Sequence, residues 1–170
     1  MKKSSLEIEW LYEEQEWVGL KQGSKKLSQV IEGRIQHAIQ TGVFSPEPQG
    51  EICILLADDY KLKELNHQFR QKDKATNVLS FPSADFPAQE GDNITSLGDI
   101  ALGYETIEDE AFERKISIID HTTHLIVHGI LHLMGYDHEN DTDAMVMENL
   151  EKKIMKGMSL HDPYPEINDQ

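Results

Sequence analysis

The segment HGILHLMGYDH, residues 128–138, constrains this chain more than any other, because its spacing can bring three histidines to one cation. His128 and His132 are four residues apart, so on a helix they lie about 40° apart on one face, one turn above the other. Gly135 follows the apolar pair Leu133 and Met134, where a left-handed cap would end that helix. The chain then reverses, and His138 can fold back as the third ligand. Three neutral imidazoles leave a tetrahedral ion with one open position, the arrangement of a catalytic zinc centre that activates water near neutral pH. The cofactor expected is therefore a single Zn2+ ion on His128, His132 and His138, and the class expected is a metal-dependent hydrolase. The competing reading is two core histidines and a surface one, but buried imidazoles without a cation would each need a hydrogen-bond partner.

The same spacing matches the metzincin pattern H-E-x-x-H-x-x-G-x-x-H in every ligand and in its glycine. One position departs: Gly129 stands where the peptidase carries the glutamate that serves as its general base. A zincin-like metal helix without that base suits a better leaving group than a peptide amine, or a proton acceptor drawn from elsewhere. Met145 and Met147 invite comparison with a metzincin Met-turn, although packing of a helix is the safer account of them.

Around this segment the pattern is that of an α+β protein, a single layered domain with a mixed sheet packed by helices. Leu6, Ile8 and Trp10 alternate with Glu7 and Glu9 as a half-buried strand does. Leu27, Val30, Ile31, Ile35 and Ala38 follow helical spacing toward a stop at Gly42. Residues 52–57 form a short apolar run, expected as a buried strand. Asp58 or Asp59 then caps a helix with Leu62, Leu65 and Phe69 on one face. Val78, Leu79 and Phe81 make a strand ended by Pro82, and a polar stretch with Pro87 and Gly91 leads to the strand GDIALGY. Helices are expected over 104–114, from Ser117 to about Met134 with Ser117 and Asp120 as a capping box, and after Asp141. Residues 1–158 constitute the hydrolase domain in this reading, and residues 159–170 an acidic, frayed tail. The order of the strands is not legible.

No apolar run approaches the length of a membrane span, and the N-terminus turns acidic after two lysines without a signal-like stretch. A cytoplasmic protein is expected. The lone Cys53 sits in an apolar run and suits a buried free thiol. A formal charge of −15 argues against indiscriminate nucleic-acid binding. Its distribution softens that conclusion: residues 83–115 hold nine acids against two bases, whereas residues 61–74 hold five bases against two acids. A basic patch on an acidic body and a merely solvated helix face both fit this charge pattern.

HGILHLMGYDH, LNHQFRQKDKATNVLSFP and GDIAL occur in that order between residues 50 and 150, and they resemble the signature blocks of the YbeY family of bacterial endoribonucleases. The resemblance implies a zinc site and cleavage of single-stranded RNA. It also implies a part in maturing the ends of small-subunit ribosomal RNA and in ribosome quality control, with an rRNA precursor and the ribosome or its small subunit as partners and no membrane. It assigns Arg70 a catalytic or phosphate-binding role beside His128. Chemistry supports that role, since a planar guanidinium can hold two non-bridging phosphate oxygens at once. From the residues alone, a surface arginine just past a helix end is an equal reading.

Lys72 and Lys74 extend the basic stretch as candidate substrate contacts. His124, one turn before His128, is a candidate for supporting a ligand or shuttling a proton, whereas His121 suits a hydrogen-bonded structural role. Asp137 could orient a ligand or cap the tight turn. Thr76, Asn77 and Ser80 would shape the strand edge beside the metal. Two other classes use the same ligands: a metallopeptidase or amidohydrolase, which Gly129 disfavours, and a non-catalytic ribosome-associated zinc protein, which an open coordination position disfavours.

Overall fold

Alternating hydrophobicity and capping residues produce a four-stranded mixed sheet with helices on both faces in the computed structural model, which describes residues 6–83 and 96–165. Strand β1 (Leu6–Tyr12) leads through a single 3-10 turn (Gln15–Trp17) and a small hairpin, β2 (Lys21–Gln22) and β3 (Lys25–Lys26), into helix α1 (Leu27–Gln40). Then follow β4 (Gly50–Ala57), α2 (Asp59–Arg70), β5 (Val78–Pro82), β6 (Ser96–Gly103), α3 (Tyr104–Arg114), α4 (Ile118–Leu133) and α5 (Asp141–Gly157). The sheet order is β1-β4-β6-β5; β1, β4 and β6 run parallel, and β5 pairs antiparallel to β6 as an edge strand. The polar stretch with Pro87 and Gly91 lies outside the described residues. No described helix is long and apolar enough to cross a membrane.

Strand alternation divides the core in two. Ile52, Ile54 and Leu56 of β4 and Ile100 and Leu102 of β6 face α1 and α4 in the larger cluster. Ala57 of β4, Leu79 of β5 and Ala101 of β6 turn the other way, toward Leu62 of α2. α4 sits at the centre: twelve of its sixteen residues are buried, so it is enclosed nearly all round rather than amphipathic. Ser117 accepts from the Asp120 backbone N–H at 3.0 Å, one half of the expected box; the Asp120 carboxylate instead pairs with Arg34 at 2.9 Å.

Asp58 caps α2 by accepting from the Lys61 N–H at 2.8 Å, and Asp59 reaches α3, taking the Thr106 N–H at 3.1 Å and its hydroxyl at 2.7 Å. Pro163 and Tyr164, within the stretch expected to fray, are seated against the rest of the chain. Pro163 is buried, and the Tyr164 hydroxyl donates to Glu151 at 2.9 Å. The acidic composition does not reveal that Pro163 and Tyr164 have partners here, the ring of Tyr164 meeting that of His124 edge to face at 5.6 Å.

Candidate metal centre

α4 ends in a Schellman motif just past its two spaced histidines. Gly135 takes φ +101°, its N–H donates to the His132 carbonyl at 3.0 Å, and the Tyr136 N–H donates to the Leu131 carbonyl at 3.0 Å. A left-handed backbone at this position is cheap only for glycine. The reversal carries His138 back over the helix end, where its ring lies 5.1 Å from that of His132 and 5.7 Å from that of His128. Each of the three histidines offers a nitrogen within 4.8 Å of the others. The Nε2 atoms of His128 and His132 are 3.1 Å apart. Arms of about 2.0–2.1 Å to a tetrahedral ion separate nitrogens by roughly 3.3 Å, so the donor set fits a metal ion. His128 and His132 are half-buried and His138 is exposed, which leaves the cluster open to solvent on one side. Burial, then the neighbouring His128 and His138, push the His132 imidazole down to about 4, so its lone pair stays available at neutral pH.

Behind the cluster stands a residue that sequence reasoning missed. Glu151 of α5 is fully buried, and its Oε1 accepts from His128 Nδ1 at 2.7 Å and from His124 Nε2 at 3.0 Å. Its Oε2 accepts from Tyr164. Burial alone would raise this carboxyl, but the bonds from His124 and His128 outweigh it and hold it down, to about 2. An ionised carboxylate only accepts, so His128 carries its proton on Nδ1 and turns the Nε2 lone pair outward. The signal was present in the sequence: Met147, Glu151, Ile154 and Met155 share the buried stripe of α5, and an acid at an apolar position needs a partner. His124 therefore contacts the carboxylate that orients His128, while His121 points to Glu110 at 3.4 Å in the structural role expected of it. Met147 is buried in the core and Met145 is exposed.

Gly129 lies where α4 packs closely on the sheet. A Cβ there would lie 2.8 Å from Ile100 Cδ1 and 3.1 Å from Ser80 Oγ, so α4 rests directly on β5 and β6 at this point. Ser80, expected near the metal, thus lines the opposite side of the metal-bearing helix from solvent. Its carbonyl accepts from Arg70 Nη2 at 3.1 Å, which brings the exposed end of α2 to the β5 edge. Lys72 and Lys74 follow on the surface; the backbone between is fixed by Asn66 Nδ2, which donates to the Lys74 carbonyl at 2.9 Å. Asp137 caps the turn, accepting from the Glu139 N–H at 3.3 Å. Asn77 donates to Glu110 of α3 at 2.9 Å, pinning β5 to that helix.

Residues 13–159 match the family model described as endoribonuclease YbeY. The chain belongs to that family. Among similar proteins, all named endoribonuclease YbeY, that of Bartonella bacilliformis is 40% identical over 163 residues, 95% of this chain and 99% of its own. The protein from Chelativorans sp. is 43% identical over 137 residues, 79% of this chain and 83% of its own. The solution structure of TM1509 from Thermotoga maritima shares the fold, with a TM-score of 0.52 at 24% identity, covering 94% of this chain and all of that one. The YbeY match takes in Arg70, the three histidines and Glu151; Tyr164, which completes the contacts of that carboxylate, lies beyond it.

Proposed function

We propose that this protein is a zinc-dependent, single-strand-specific endoribonuclease of the cytoplasm that matures the ends of small-subunit ribosomal RNA and serves ribosome quality control. The observation that carries the metal-dependent part is the convergence of His128, His132 and His138 within 4.8 Å, backed by a buried carboxylate that fixes the tautomer of His128. Membership of the endoribonuclease family supports RNA as the substrate, and the ribosomal part of the proposal follows the resemblance of the sequence blocks. Zinc suits three imidazoles and, when bound, supplies Lewis acidity toward a phosphoryl oxygen or water.

The chain's own residues divide the remaining work. Glu151 keeps the proton of His128 on Nδ1, and His124 shares that carboxylate. Arg70, exposed and steadied by the Ser80 carbonyl, clamps the non-bridging oxygens of the scissile phosphate, and its fixed fork is what a lysine lacks. Lys72 and Lys74 hold flanking phosphates. Asp137 shapes the loop that presents His138.

The test is elemental analysis of the purified protein, together with incubation on single-stranded RNA and on casein, with and without a chelator. Zinc near one equivalent is expected, with cleavage of RNA alone, abolished by the chelator. His132→Ala should lose the metal, and Arg70→Glu should lose cleavage while retaining metal and thermal stability. Undiminished zinc in His132→Ala would exclude the site, and normal cleavage by Arg70→Glu would exclude the clamp.

A further inference from the structure

On the sheet face opposite α4, α2 leaves part of the sheet uncovered, and a cavity of about 570 Å3 opens there beneath Phe69, with Phe81, Leu55 and Leu11 among its walls. Phe69 is 60% exposed, although it lies on the helix face that carries Leu62 and Leu65. Its ring meets Phe81 edge to face at 5.3 Å. The cavity directly adjoins the proposed phosphate clamp: Phe69 precedes Arg70 in α2, and Phe81 follows Ser80 in β5. Because side chains alternate along a strand, Ser80 points to the metal-bearing helix and Phe81 to the cavity, with the Ser80 carbonyl holding Arg70 between them.

We propose that this cavity is a nucleobase subsite, in which a base next to the cleaved phosphodiester stacks on Phe69 and Phe81. The inference rests on the endoribonuclease reading of the metal centre and adds to it where the strand's base goes. Three observations favour a base over other occupants. The cavity walls are largely apolar and aromatic, and of the charged residues lining it the acids Glu13 and Asp99 outnumber the base Lys61, so it suits a neutral ring better than a phosphate. Cations stand beside it at the exit of α2, at Arg70, Lys72 and Lys74, where the backbone of the same strand needs them. Its size falls within the range of small-molecule clefts. Aromatic platforms flanked by cations are how single strands are gripped without a fixed sequence, because every base has a π-face.

The experiment measures cleavage of a short single-stranded RNA by the zinc-loaded protein, scanning one abasic nucleotide through the strand. In the wild type, one position beside the cleaved bond should lower kcat/KM by roughly 5- to 100-fold, the loss of a single stacked base. Phe69→Ala should lose a similar factor on intact RNA, mostly in KM, and should be insensitive to the abasic position. Phe69→Trp should restore both. Because Phe69 is largely exposed, Phe69→Ala is expected to fold; Phe81→Ala gives the same readout from the other wall. If Phe69→Ala and Phe81→Ala cleave intact RNA as the wild type does, the subsite is wrong and the endoribonuclease reading stands. If either variant cleaves normally but no longer binds a ribosomal protein that the wild type binds, the cavity is a protein-docking surface and the proposal falls. A zinc-loaded wild type that cleaves no RNA overturns the functional reading and this inference with it.

Discussion

Glu151 shows how one side chain decides what three others can do. Its carboxylate is sealed from water and satisfied by His124, His128 and Tyr164, so it acts on His128 as a fixed acceptor. Glu151→Gln keeps the shape but removes the charge: its amide oxygen, a weaker acceptor, meets both imidazoles only if its NH2 turns to Tyr164, whose hydroxyl must then accept. Metal affinity, followed by competition with a chelator, should fall about 10- to 100-fold; unchanged affinity would mean that the charge behind His128 does not strengthen it as a ligand. At this scale the sequence was uneven. The three histidines announced themselves because their spacing has few other uses; the role proposed for Arg70 rests on the family resemblance that marks its block. Glu151 and Tyr164 stayed hidden because they reach the site from α5 and from beyond it, and a contact between residues 128 and 151 leaves no local periodicity to detect.

The helices and strands were the most legible level, since each is written in a repeat of two or of three to four residues. β1, β4, β5, α1, α2 and α4 lie where alternation and capping residues place them. What failed to show was the segment from Glu13 to Lys26, rich in charge and without a period. There Trp17 is fully buried, its Nε1 donating to the Ala57 carbonyl at 2.8 Å and its ring edge-on to Tyr104 at 5.2 Å. Strand order escaped for a similar reason, as pairing is set by which faces meet in space. The seating of α4 on the sheet yields a prediction at this scale. Gly129→Glu would force a carboxylate between Ile100 and Ser80, and overpacking of this kind costs about 1–3 kcal/mol before the buried charge is counted. The melting temperature should drop by roughly 5 °C or more, with any loss of cleavage following from the loss of structure. A variant that melts with the wild type would show that the helix can lift off the sheet at no cost, and the glycine would then need another explanation.

Taken whole, the molecule is an acidic body, net −15, with a short basic segment at the exit of α2. RNA must therefore approach against the overall field and be held by a few local contacts. With Arg70, Lys72 and Lys74 as the phosphate ligands, the logarithm of RNA affinity should fall with the logarithm of salt at a slope near −2. Titration of fluorescent RNA between low and moderate salt measures it, and a slope several times steeper would point to a wider basic surface than this segment provides. Another property of the whole follows from where the three imidazoles originate. All lie within the eleven residues from 128 to 138, on a helix end already closed by its own backbone bonds, and the long-range tie from His128 to Glu151 is made by a hydrogen bond rather than through the ion. With zinc as the proposed ion, a cell short of it would thus hold this protein folded but idle, a standing reserve that returns to work on resupply without new synthesis.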